Sequence, residues 1–132
     1  MVNTFAGPPL VPAGPTAGII CRYRPLALPT RPGTLARQTL LDEVQARHLA
    51  GRVRRLDLRA PVVVFHCPAD FGAVALIGLS YPGREDVGLW YHASGCQSVD
   101  NGAIGSSEGG NPSFYMGFET AVDRLSPPLG DR

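Results

Sequence analysis

The chain has 132 residues, 44% of them hydrophobic, with 12 basic and 11 acidic residues and a formal net charge of +1. That length fits one domain with a core able to stand without a metal or a dense disulfide framework. Nothing in this near-neutral balance calls for nucleic acid or an anionic membrane, so neither is expected as a partner. All the basic residues are arginine; with the abundance of Ala, Gly, Pro and Val, this reflects GC-rich coding more economically than function. No apolar run is long enough to span a bilayer, and no apolar segment follows a basic N-terminus as in a signal peptide.

Residues 1–17, "MVNTFAGPPLVPAGPTA", are charge-free and rich in Pro, Gly and Ala, the composition of an extended, disordered linker. Such segments join membrane anchors to folded ectodomains, so an upstream signal or lipid anchor is expected; the plainer alternative is the disordered terminus of a cytoplasmic protein. "GIICRYR" (18–24) alternates as a strand does, with Ile19, Cys21 and Tyr23 on one face and Ile20, Arg22 and Arg24 on the other. The first set is expected to face the core. After the proline-rich "PLALPTRPG" loop, "TLARQTLL" forms a short second strand.

Asp42 caps a helix running from Glu43 to about Leu56, with Gln45 placed to complete a capping box. Leu41, Val44, His48, Leu49, Val53 and Leu56 recur at helical spacing and are assigned to the core side, with Arg47, Arg54 and Arg55 opposite. "VVVFHC" (62–67) reads as a central strand, and "AVALIGLSY" and "VGLWYHA" as a hairpin reversing at "PGRED". The Gly- and Ser-rich stretch from 95 to 112 reads as a long surface loop. Pro112 then opens a final helix that stops before Pro127, with Phe114, Phe118, Val122 and Leu125 or Ala121 as its apolar stripe. The order predicts an α+β fold: an antiparallel sheet of 4–5 strands with two helices packed on one face. The domain spans 18–127, followed by a flexible tail over 128–132.

Three cysteines, at 21, 67 and 96, permit three single disulfides. Cys67 and Cys96 each end a strand with a hairpin between them, so their pairing is preferred, leaving Cys21 a buried free thiol; Cys21 with Cys67 is the competing pair. Closing a loop of about 29 residues contributes roughly 3.5 kcal/mol in the chain-entropy treatment. Zinc is disfavoured although His66, Cys67, His92 and Cys96 supply the right number of ligands. Adjacent strand residues point to opposite faces, and no CxxC or HxxxH knuckle is present. His66 or His92 with Asp70 or Asp100 can be drawn as partners of a cysteine nucleophile, yet no thiol-protease signature, G-x-S-x-G elbow or phosphate-binding loop accompanies them. No catalytic residue, metal or cofactor is therefore assigned, and the chain reads as a non-enzyme.

The order "CRYRP", "HCPADFG", a Tyr-Pro-Gly hairpin and "SGCQSVDNG" resembles small uncharacterised extracytoplasmic and lipoprotein-type domains of actinobacteria. The likeness covers roughly residues 18–102 and rests on Cys21, Cys67, Pro68, Asp70, Cys96, Asn101 and Gly102. It implies export and carries no activity. A weaker likeness is to subtilisin-inhibitor-like protease inhibitors, which place a Cys-Pro pair before a hairpin and close it with a later cysteine. That likeness would make Cys67, Pro68, Ala69, Asp70 and Phe71 an exposed inhibitory loop cut near Ala69. It departs from that family in lacking a cysteine partner for the helix and in placing Asp70 where a protease prefers an apolar residue. The preferred reading is an extracytoplasmic, non-enzymatic interaction domain with a protein partner, contacted through Pro68, Ala69, Asp70 and Phe71 and through the aromatics Trp90, Tyr91 and Tyr115.

Overall fold

The computed structural model describes residues 10–24, 33–56, 74–92, 98–101, 105–107 and 112–129. In chain order the elements are β1 (Ala17–Tyr23), β2 (Leu35–Leu41), α1 (Glu43–Arg54), β3 (Val74–Ser80), β4 (Val87–His92), β5 (Ser98–Asp100), β6 (Gly105–Ser107) and α2 (Pro112–Leu125). Among the described residues the strands form one antiparallel sheet in the order β2-β1-β3-β4-β5-β6. The fold is α+β, as the pattern of elements predicts. The strand expected at "VVVFHC" lies outside the described residues. The expected surface loop after Cys96 instead contains β5 and β6, each three residues long.

The hairpin between β3 and β4 turns at Tyr81–Asp86, where Gly83 has a φ of 72°. Pro82 sets the preceding φ and Gly83 takes the left-handed conformation that the reversal needs, so the "PG" pair fixes the register in which Leu79 faces Val87 and Ile77 faces Leu89. α1 begins where expected. Asp42 accepts from the Gln45 amide at 2.8 Å while the Gln45 side chain accepts from the Asp42 amide at 3.0 Å, closing the capping box. A cap of this kind contributes about 1 kcal/mol.

One core unites the fold. It gathers Ile20, Ala75, Ile77, Leu79, Leu89, Tyr91 and Val99 from one face of the sheet with Ala46, Leu49, Ala50 and Val53 of α1 and Phe118, Ala121 and Val122 of α2. Both helices thus cover the same face. The alternation in β3, with Ala75, Ile77 and Leu79 buried and their neighbours half-buried, is the pattern of a strand packed on one side.

Three expectations are corrected here. In β1 the phase is reversed. Ile20 and Arg22 face the helices, whereas Ile19, Cys21 and Tyr23 lie on the opposite face. Arg22 is only 5% exposed, because its guanidinium finds acceptors at the end of α2. In α1 the stripe is rotated: Val44 is 77% exposed and His48 is exposed, while Ala46 and Ala50 are buried. Small residues let the helix approach its neighbours closely.

Nor are residues 10–16 a free linker. Leu10 and Val11 are buried in the core, and four side chains hold the segment by its carbonyls. Tyr81 Oη donates to Pro12 O at 2.7 Å, Arg54 Nη1 to Val11 O at 2.8 Å, Arg47 Nε to Pro15 O at 3.3 Å and Asn101 Nδ2 to Leu10 O at 3.3 Å. Pro12 and Pro15 lack donors but keep their carbonyls, so the segment docks mainly as an acceptor strap, while Thr16 at its end donates its backbone N–H to Ser80 O at 2.8 Å. At the other end, Arg37 donates to the carbonyls of Pro127 and Pro128, so the start of the expected C-terminal tail is attached as well.

Candidate functional site

The two faces of the sheet differ sharply. Beneath the helices, Arg22 bridges β1 to the C-terminus of α2: its Nη2 donates to Ser126 O at 2.7 Å and Asp123 Oδ1 at 2.8 Å, and its Nε to Ser126 O at 3.2 Å. Thr39 Oγ1 donates to Ser126 Oγ at 3.1 Å. A helix C-terminus presents carbonyls without intrahelical donors and the negative end of its dipole, and a buried guanidinium satisfies both. This cluster is structural: every polar atom in it serves to hold α2 on the sheet.

Tyr91 lies on the same face, fully buried, with its ring edge-on to Phe118 at 5.2 Å and 81°. Burial foremost, then the carboxylates of Glu119 and Asp123, pushes its phenol well above the usual tyrosine range, while Arg22 pulls the other way. The hydroxyl therefore stays protonated. Tyr91 cannot reach a partner, which corrects its assignment as a contact residue. Trp90, the residue before it, points to the opposite face by strand geometry and is 44% exposed.

That opposite face is apolar. Adjacent across the strands run Gln38, Cys21, Leu76 and Trp90 in one row, and Leu40, Ile19, Gly78 and Gly88 in the next. Leu40 is 77% exposed and Leu35 47%. On the four longer strands this face has no carboxylate and no arginine within its rows, and His92 stands at one corner beside Val74. Cys21 is a free cysteine shielded by its neighbours. Burial raises its thiol above the ordinary value, so it is protonated and a poor nucleophile or metal ligand.

The remaining assigned residues, His66, Cys67, Pro68, Ala69, Asp70, Phe71 and Cys96, lie outside the described residues, as do the preferred disulfide and the inhibitory loop. Among the described residues no group of three or more His, Cys, Asp and Glu side chains converges as a metal site, and no helix is long and apolar enough to cross a membrane. His48, expected in the core, instead lines an open groove between the two helices with Arg52 and Arg124. The signal for this groove is hard to read in sequence, because its cationic residues are split between α1 and α2. No family model matches the chain, and neither a curated protein nor a solved structure is found to be similar to it.

Proposed function

We propose that this protein is a non-enzymatic interaction domain that works outside the cytoplasm and binds a protein partner through its open sheet face. The observation that carries this reading is the set of exposed or half-exposed apolar side chains in two neighbouring rows, Leu40 with Ile19 and Leu76 with Trp90, on the face that the helices leave uncovered. Contiguous apolar surface of this kind marks interaction sites, and an exposed tryptophan is a usual anchor. On the four longer strands the face lacks carboxylates and arginines, and Asp100 of β5 continues the Trp90 row at one side, so the partner surface it fits is mainly apolar. An apolar partner also explains why Trp90 stands on β4 where a solvated strand face would carry a polar residue.

The test places a photocrosslinking amino acid at Leu40, at Trp90 and, as a control, at Arg55 on the helical side, in the full-length protein within its own cells. Adducts of one discrete mass from Leu40 and Trp90, with none from Arg55, are the expected result. Equal labelling from all three positions, or none, overturns the assignment of the face.

Export is tested separately by peptide mapping of the unreduced protein after alkylation of free thiols. A Cys67–Cys96 linkage with Cys21 alkylated is expected, since oxidised pairs persist outside the reducing cytoplasm. Three alkylated thiols in protein prepared under oxidising conditions would remove the disulfide and the case for export with it.

A further inference from the structure

Among the described residues most arginines are engaged. Arg22, Arg37, Arg47 and Arg54 donate to carbonyls or carboxylates, and Arg84 stacks over the Tyr81 ring at 5.6 Å. Arg52 and Arg124 differ: among the described residues no carboxylate or carbonyl pairs with either. Both line the groove between α1 and α2, which has a volume of about 440 Å³ and includes His48 on the same wall. Among the described residues the groove lining contains no carboxylate. The acids of α2, Glu119 and Asp123, are directed to the sheet side, where they act on Tyr91 and, for Asp123, pair with Arg22. Glu43 of α1 is taken up by Arg47 at 3.0 Å.

The Arg52 guanidinium lies close over Gly117: its Nη1 is 3.1 Å from where a Cβ at 117 would stand, so a side chain there would ask it to shift by a few tenths of an ångström. Half-buried and without an acidic partner among the described residues, this cation faces an open groove and is accessible to an anion from solvent. Thr120 adds a hydroxyl donor to the groove, and Ala121 and Leu125 add an apolar wall.

We propose that the groove between α1 and α2 binds a phosphate monoester, its phosphate held by Arg52, Arg124 and His48 and its organic part laid against Ala121 and Leu125. Two guanidinium groups, an imidazole and a hydroxyl on two helices line the groove, a donor supply that suits a dianion with three terminal oxygens better than a carboxylate with two. The volume lies within the range of small-molecule sites and exceeds what inorganic phosphate alone would fill. The site is on the helical side of the molecule, away from the open sheet face, so it stands or falls independently of the partner-binding reading.

The test is an amide-shift titration of the full chain with inorganic phosphate and with glycerol 3-phosphate, alongside binding to phosphatidylcholine vesicles with and without phosphatidic acid. Saturable shifts at His48, Gly117 and Thr120 are expected, with the ester bound more tightly than inorganic phosphate. Arg52→Gln or Arg124→Gln should each weaken binding by about tenfold or more. Gly117→Ala, which asks the Arg52 guanidinium to give by only a few tenths of an ångström, should weaken it less than either arginine variant, and Arg55→Gln, outside the groove, should leave it unchanged. Tighter binding to phosphatidic acid vesicles than to the soluble ester would identify the phosphate as a lipid headgroup, and the reverse order as a soluble metabolite. Absence of saturation with every probe, or equal weakening by Arg55→Gln, overturns the site; an unchanged thermal midpoint in the variants shows that folding is not the cause.

Discussion

Replacing Phe118 with alanine is expected to lower stability by about 4 kcal/mol. Phe118 is fully buried between α2 and the sheet and meets Tyr91 edge-on, so the substitution loses transfer energy, leaves a cavity and removes an aromatic contact of about 1 kcal/mol. A domain of this size has roughly 5–15 kcal/mol in hand, so the loss is a large share of the total. Urea unfolding should show a lower midpoint at unchanged slope. Phe118→Leu, which keeps most of the volume, should cost about 1 kcal/mol. A loss below about 1 kcal/mol for the alanine variant would mean that α2 does not close the core.

Tyr91 gives the same variant a second readout. Its folded-state pKa lies above the unfolded one, so its contribution to stability is complete below the ordinary phenol range near pH 10 and is lost as pH rises through the folded-state value. Removing the Phe118 ring lets water approach the phenol. Tyrosinate absorbance should then appear at lower pH in Phe118→Ala than in the parent, with the protein still folded by circular dichroism.

Arg22→Ala should cost about 3 kcal/mol. Breaking a fully buried ion pair costs about 3–5 kcal/mol; the lower figure applies because Asp123 is partly exposed and solvent screens it. The larger share comes from Ser126 O, a buried acceptor left without its two donors. Arg22→Met, which restores bulk without donors, should recover little of the loss, and Asp123→Asn should cost less than either, since the carbonyl keeps its partners. Thermal unfolding should fall by roughly 10 °C for Arg22→Ala. The exposed Glu43–Arg47 pair, by contrast, should be worth under about 0.5 kcal/mol. Equal effects at Arg22 and Arg47 would refute the buried clamp.

What was legible in the sequence was what depends on local chemistry. Asp42 with Gln45, Pro112 and Pro127 around α2, and the Pro82–Gly83 turn each act within a few residues, and all stand where expected. What was illegible depends on partners distant in the chain. Arg22 looked like a solvent-facing residue because nothing near it reveals an acceptor 104 residues away. Ala46 and Ala50 carried almost no hydrophobic signal, so Val44 and His48 took their places in the expected stripe. Leu10 and Val11 were hidden in linker-like composition, and β5 and β6 are too short to show alternation. At the candidate site, strand geometry required Trp90 and Tyr91 to face opposite ways, and only the packing of Phe118 decides which of the two is buried.

The strand order carries a consequence for the growing chain. β1 is made before β3, yet it lies inside the sheet, flanked by β2 and by β3, and Ile20 meets Ile77 across an interval of more than fifty residues. As the chain leaves the ribosome, β1, β2 and α1 can form a unit only partly closed, with one long strand edge and the Arg22 side chain still waiting. Synthesis of β3 fills that edge, and the later arrival of α2 supplies the carbonyl that Arg22 requires. The interval before β3 emerges is when edge-to-edge association between nascent chains is most favoured, and its length is set by translation speed through the segment that separates α1 from β3.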